Sequence, residues 1–175
     1  MRTKPAANGR PSGLSLLEMM VATAIMATLM ASVVVLTRSG YAVWNAQEAD
    51  IDVLENGYGV LRHFAQQLRQ ATAVSAISAP SDAAGALSFT TATGTTRTWT
   101  RSAAQSEVYF NNGASNQLLA KSINALSFTG YKADGVTQST VVSEIQVVQC
   151  SVQVTLPHGA GVTRTITTRA WIRSW

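Results

Sequence analysis

The rhythm of hydrophobic and polar positions changes twice along the chain. From Leu14 to Leu36 it reads LSLLEMMVATAIMATLMASVVVL, apolar on every side, with Glu18 its one charged residue. A run of about 23 residues is long enough for a bilayer-spanning helix, which needs roughly 20. The run stops at Thr37-Arg38-Ser39-Gly40. From Tyr41 to about Ala76, Trp44, Ile51, Leu54, Tyr58, Leu61, Ala65 and Leu68 recur at steps of three, four and seven. Glu48, Asp52, Glu55, Arg62 and Arg69 occupy other positions. That spacing predicts an amphipathic helix with one buried stripe. Gly57 and Gly59 fall inside it, each weakening it by roughly 1 kcal/mol relative to alanine. They mark either a bend or a close approach to a sheet. Unbroken from Leu14, such a helix would hold about 60 residues and reach roughly 90 Å at 1.5 Å per residue.

Beyond Pro80 the alternation takes the two-residue period of strands. Ala86–Thr90, Thr96–Arg101 and Glu107–Phe110 are predicted strands, separated by a turn at Gly94 and closed by Asn111-Asn112-Gly113. A short segment from Gln117 to Ile123 leads into Ala125–Thr129, with turns expected at Gly130 and Asp134-Gly135. Two longer strands, Ile145–Leu156 and Val162–Ile172, flank the hairpin signal Pro157-His158-Gly159-Ala160-Gly161. Both alternate, giving each a buried and a wet face. The expected fold is α+β: a long N-terminal helix, transmembrane in its first half, packed on a C-terminal antiparallel β-sheet.

Composition sharpens this picture. Only 13% of the residues are charged, about half the globular norm of roughly 25%, which fits a membrane segment joined to a Ser/Thr-rich domain. The formal net charge is +4, and Arg2, Lys4 and Arg10 all precede the apolar run. Without those three the remainder carries 4 − 3 = +1, and its cations are scattered. A nucleic-acid footprint needs a basic patch or stripe, so nucleic acid is not an expected partner. The single cysteine, Cys150, excludes an intrachain disulfide framework. Its place in the alternation Val148, Cys150, Val152, Val154, Leu156 makes it a small buried hydrophobe on a sheet's inner face.

Three cations before the apolar run and no acid among them predict a cytoplasmic N-terminus. An ordinary cleaved signal would have a shorter apolar stretch ending in a small-x-small site. Here the candidate Ala22-Thr23-Ala24 lies in the middle of the run. Glu18 is the expensive residue, since an ionisable group at the bilayer centre costs about 2.5–3.5 kcal/mol. Either it lies near the cytoplasmic face and snorkels, or its carboxylate awaits a cationic partner.

Gly13-Leu14-Ser15-Leu16-Leu17-Glu18 resembles the processing site of the type IV prepilin family, which includes the pseudopilins of type II secretion. It joins a basic leader, a glycine, a glutamate five residues on, and an immediately following apolar helix. The one departure is Leu14, where the family commonly has phenylalanine. The resemblance implies that residues 1–13 are a leader cut after Gly13 by a prepilin peptidase, and that the amine of Leu14 is then methylated. It implies that Glu18, fifth in the mature chain, pairs with the terminal amine of a neighbouring subunit. It also implies residues 14–37 as the transmembrane helix, 38–78 as its amphipathic continuation and 79–175 as a β-rich head. A looser likeness ties Ser122–Phe128, Tyr131, Asp134-Gly135 and the late hairpin to J-type minor pseudopilins and W-type minor pilins. Partners implied are other pilin or pseudopilin subunits, an inner-membrane assembly platform and the lipid bilayer. The implied place is the bacterial inner membrane, with the head periplasmic or at the surface.

No enzyme is expected. His63 and His158 lie far apart and read as solvated histidines. Asp50 and Asp52 fall on different faces of a helix. There is no D-x-[DN]-x-[DN]-G loop, although some pseudopilins bind calcium, and no phosphate-cradling loop or nucleophile elbow. No cofactor is therefore expected. Trp171 and Trp175 lie either on the sheet's outer face or against the helix, or they form a partner-contact patch. Two readings stand beside the filament subunit: a DNA-uptake or adhesive minor pilin, and an ordinary single-pass anchored β domain.

Overall fold

The computed structural model describes residues 15–158 and 161–172. One helix, α1 (Leu16–Leu68), precedes eight strands. These are β1 (Ala71–Ile77), β2 (Ala86–Thr91), β3 (Thr96–Ser102), β4 (Glu107–Asn111), β5 (Asn116–Ala120), β6 (Ile123–Tyr131), β7 (Val147–Thr155) and β8 (Thr163–Trp171). The architecture is α+β, a helix packed on antiparallel sheet. The chain divides into two compact units between Trp44 and Asn45, which are taken in turn.

The first unit is helical throughout its described length after Ser15, and its large apolar residues are exposed. Five of its Ser and Thr hydroxyls bond back to the helix. Thr23, Thr28, Ser32, Thr37 and Ser39 donate to the carbonyls of Met20, Ile25, Thr28, Val33 and Leu36 at 2.8–2.9 Å. Back-bonding of this kind satisfies a hydroxyl without help from water.

In the second unit the strands form two antiparallel sheets, ordered β1-β2-β3-β4-β5 and β6-β7-β8. Both turn apolar faces to α1, whose buried residues are Gly57, Val60, Leu61, Phe64 and Leu68. Phe64 lies 5.4 Å from Trp99 on β3 and 5.9 Å from Phe128 on β6, ring centre to ring centre, so one side chain joins both sheets to the helix. Trp99 is fully buried and stacks on Phe89 at 4.9 Å. On β7, Val148, Cys150, Val152 and Val154 are all fully buried, the alternation read from the sequence.

Three local features differ from the pattern-based expectation. The helix ends at Leu68, and Ala71–Ile77 is a strand rather than the last helical turns. Its pairing with β2 slips twice, between Ala71 and Ala73 and between Val74 and Ala76. Each slip inserts one unpaired residue, so the buried positions Ala71 and Val74 recur every third residue, and a doubly bulged strand imitates a helical period. The buried stripe is also rotated. Tyr58 is 58% exposed, while Gly57 is buried. A Cβ at Gly57 would lie 3.3 Å from Ile166 Cδ1 and 3.4 Å from Val154 Cγ1. The missing side chain thus lets α1 approach β7 and β8, and close packing replaces the alternative of a bend. Finally, Gly130 is inside β6 and not in a turn. A Cβ there would come within 2.5 Å of Ile145 Cδ1 and 2.8 Å of the Ser139 carbonyl, so glycine is needed for the β6–β7 connection to fold back over the strand.

Candidate functional site

The residues singled out at the N-terminus begin at the edge of the described chain. Gly13 and Leu14 lie outside it. Ser15 precedes the first helical residue, and its Oγ accepts a hydrogen bond from the Glu18 N–H at 3.2 Å. Ser15 is therefore the N-cap of α1 and Glu18 its third helical residue, the S-x-x-E arrangement of a capping box. The S-x-x-E pattern lies within the processing motif itself, in Ser15-Leu16-Leu17-Glu18. The carboxylate of Glu18 sits in the first turn, where the partial positive charge of unpaired N–H groups favours an anion. Leu16 and Leu17, which precede it, are 79% and 73% exposed. An apolar surface this complete has no partner within the described chain.

In the head, Trp171 is exposed on β8 and pairs across the ladder with Val147. It stands beside the β6–β7 connection, where a Cβ on Gly135 would lie 3.9 Å from its ring. The neighbouring Arg169 is fixed on the same face. Its guanidinium lies 4.6 Å from the Tyr131 ring centre, and it donates to Gln149 Oε1 at 2.8 Å and to the Gly135 carbonyl at 3.2 Å. The exposed side chain of Trp171 thus rests on an ordered surface. Trp175 lies outside the described residues.

His63 departs from the expected solvated histidine. It is half-buried, and its Nδ1 accepts a hydrogen bond from Trp99 Nε1 at 3.2 Å. Its ring packs edge-on against Phe110 at 4.5 Å. Burial, and then the positive charge of Arg97, hold its pKa below the usual imidazole value. The signal missed was the i, i+1 pair His63-Phe64, which places a polar acceptor beside the core residue that touches the same tryptophan. His158 is exposed, and its backbone N–H donates to Asp50 Oδ1 at 3.2 Å. Burial pushes the Cys150 thiol pKa far up, which leaves it a packing group. Among the described residues, no three of His, Cys, Asp and Glu come together as a metal-ligand set would.

Against known families, residues 9–34 match the model of the prokaryotic N-terminal methylation motif. The match supports a type IV prepilin-like family for this chain. Together with the exposed apolar helix that follows, it fits a membrane-anchored protein. No curated protein and no solved structure matches the chain significantly.

Proposed function

We propose that this chain is a structural filament subunit, a minor pilin or pseudopilin that carries out no catalysis. A prepilin peptidase cuts it after Gly13 and the new amine on Leu14 is methylated. The observation that carries this reading is the methylation motif over residues 9–34, whose part from Leu16 onward is a helix that leaves its apolar surface uncovered. Glu18 then serves assembly. A carboxylate held in the first turn by a capped helix end is favourably placed while alone, and gains more from a cationic amine of a neighbouring subunit in low dielectric. The spine is drawn from the inner membrane by an assembly platform into the core of a periplasm-spanning filament. The head, through Trp171 on its last strand and through Trp175, meets other subunits. The loose J-like and W-like tail favours a minor subunit of a type II secretion pseudopilus or a type IV pilus.

The test is the intact mass of the protein recovered from membranes, with and without a prepilin peptidase. Loss of thirteen residues plus one methyl group is the expected result. A full-length chain in the presence of the peptidase, or a cut at Ala24 or Ala31, would leave only an anchored or secreted β domain. For Glu18, the Glu18→Ala chain should be processed normally yet fail to enter filaments.

A further inference from the structure

The end of the apolar segment carries a feature that the processing motif does not use. Between Leu16 and Gln47 there are two charged residues, Glu18 and Arg38. They are 38 − 18 = 20 residues apart in one helix. At about 1.5 Å per residue that separation is about 30 Å, the thickness of a bilayer's hydrocarbon core. Just beyond Arg38 stand Tyr41 and Trp44, exposed by 67% and 68%. Three positions apart, they share a helix face. Gly40 opens an open notch of about 280 Å³ between them and Thr37, and a Cβ at Gly40 would meet nothing within 4 Å. Past the aromatic pair the sequence turns polar, with Asn45, Gln47 and Glu48.

We propose that Arg38, Tyr41 and Trp44 form a collar that seats in the headgroup region of the bilayer and sets the depth of the apolar helix. The proposal rests on the membrane-anchored reading above. Tyrosine and tryptophan have an apolar body and a polar edge, and settle where hydrocarbon gives way to headgroups. Arg38 can lay its stem along the apolar helix and keep its guanidinium among phosphates. The notch at Gly40 leaves room for lipid between the rings. With the collar at one boundary, the 20-residue spacing puts Glu18 at the other, so its carboxylate avoids the bilayer centre without any protein partner. The collar thereby holds the subunit at the height at which Glu18 is reachable for assembly. A second helix pressed into the notch would cover the same rings, but neither the charge spacing nor the polar edges would then be explained.

The experiment uses the full chain with Trp171→Phe and Trp175→Phe, reconstituted in phosphatidylcholine–phosphatidylglycerol vesicles. Trp99, fully buried in the head, is the internal reference, and Trp44 is the probe. The vesicles contain phospholipids brominated at successive depths along the acyl chains. Strongest quenching of Trp44 by the shallowest bromines, falling steadily toward the chain ends, is the expected result. Quenching strongest at the bilayer centre would overturn the collar, as would a shielded Trp44 that no bromine depth quenches, the sign of a protein partner in the notch. Flotation of the same vesicles separates the two levels of the argument. Protein that floats but fails the depth profile removes the collar alone, whereas protein that stays at the bottom of the gradient removes the membrane anchor and the collar with it.

Discussion

Residues 16–44 and residues 45–172 use the same apolar side chains to opposite ends. Leu16, Leu29 and Val35 are 79%, 58% and 65% exposed, whereas Val60, Phe64 and Leu68, on the same helix, are 2%, 0% and 0%. The difference lies in arrangement and not in residue type. In the head the apolar residues make one stripe, and two sheets supply a surface to receive it. In the first segment they go all the way round, which no single sheet could cover. Burial for the head comes from within the chain, whereas the apolar surface of the first segment finds no cover among the described residues and fits a membrane anchor. Each region is therefore stable against a different solvent, and a change in one should be silent in the other.

The largest test of that separation is in the head's core. Trp99 touches Phe64, Phe89 and Phe110, so Trp99→Ala should destabilise the head by about 3–5 kcal/mol. Urea unfolding of the detergent-solubilised chain, followed by near-ultraviolet circular dichroism, would read the loss. Retention in membranes after carbonate washing should not change. The converse substitution, Ile25→Arg, places a charge in the middle of the apolar run and should cost about 2.5–3.5 kcal/mol of insertion. Carbonate should then release the protein, while the urea midpoint of the head stays where it was. Should Ile25→Arg lower that midpoint as Trp99→Ala does, the two regions share one cooperative unit and the comparison fails.

What the sequence made legible followed the same division. The all-round apolar run from Leu14 to Leu36 needs no tertiary information, so a helix could be read from it directly. The strands of the head were likewise readable where period two was unbroken, as in Val148, Cys150, Val152 and Val154. Reading failed where tertiary contact altered the period. Ala71 and Val74 look helical because two bulges let β1 bury every third residue against β2. Tyr58 looked buried by its spacing, but Gly57 faces the sheet because Ile166 and Val154 need its missing side chain. The split of eight strands into two sheets could not be read at all, since period two says which face is buried and not which neighbour a strand takes. At the N-terminal site the processing motif was legible and the capping role of Ser15 was in plain view within it. His63 was misread because its partner, Trp99, is 36 positions away.

That pair gives a finer test of the head. Trp99 Nε1 is in the buried core with His63 Nδ1 as its acceptor. Replacing His63 by leucine keeps the apolar contact with Phe110 and leaves an unpaired donor, at a cost of about 1–3 kcal/mol. Urea unfolding would measure it, and His63→Gln, which offers an acceptor again, should recover part of the loss. Equal losses in the two variants would mean that ring packing, and not the hydrogen bond, is what His63 contributes.

The smallest expected effect is the dependence of the same contact on pH. To accept from Trp99, Nδ1 must carry no proton; protonation turns the acceptor into a donor facing a donor. Burial first and Arg97 second lower the imidazole pKa in the folded chain. The unfolded chain, with an ordinary value near ~6.5, takes up its proton at a higher pH than the folded chain does. The contribution of His63 is therefore fully present above about 6.5 and is lost as the pH falls below it toward the folded value. Glu107, Asp134 and Glu144, whose carboxyls hydrogen bonds hold below their usual range, lose their contributions only in the more acidic carboxylate window. A decline in head stability just below pH ~6.5 that disappears in His63→Leu is the expected outcome. A decline of the same slope in both proteins would assign it to other groups. Membrane retention should be flat across this range in either case, because no histidine lies between residues 16 and 44.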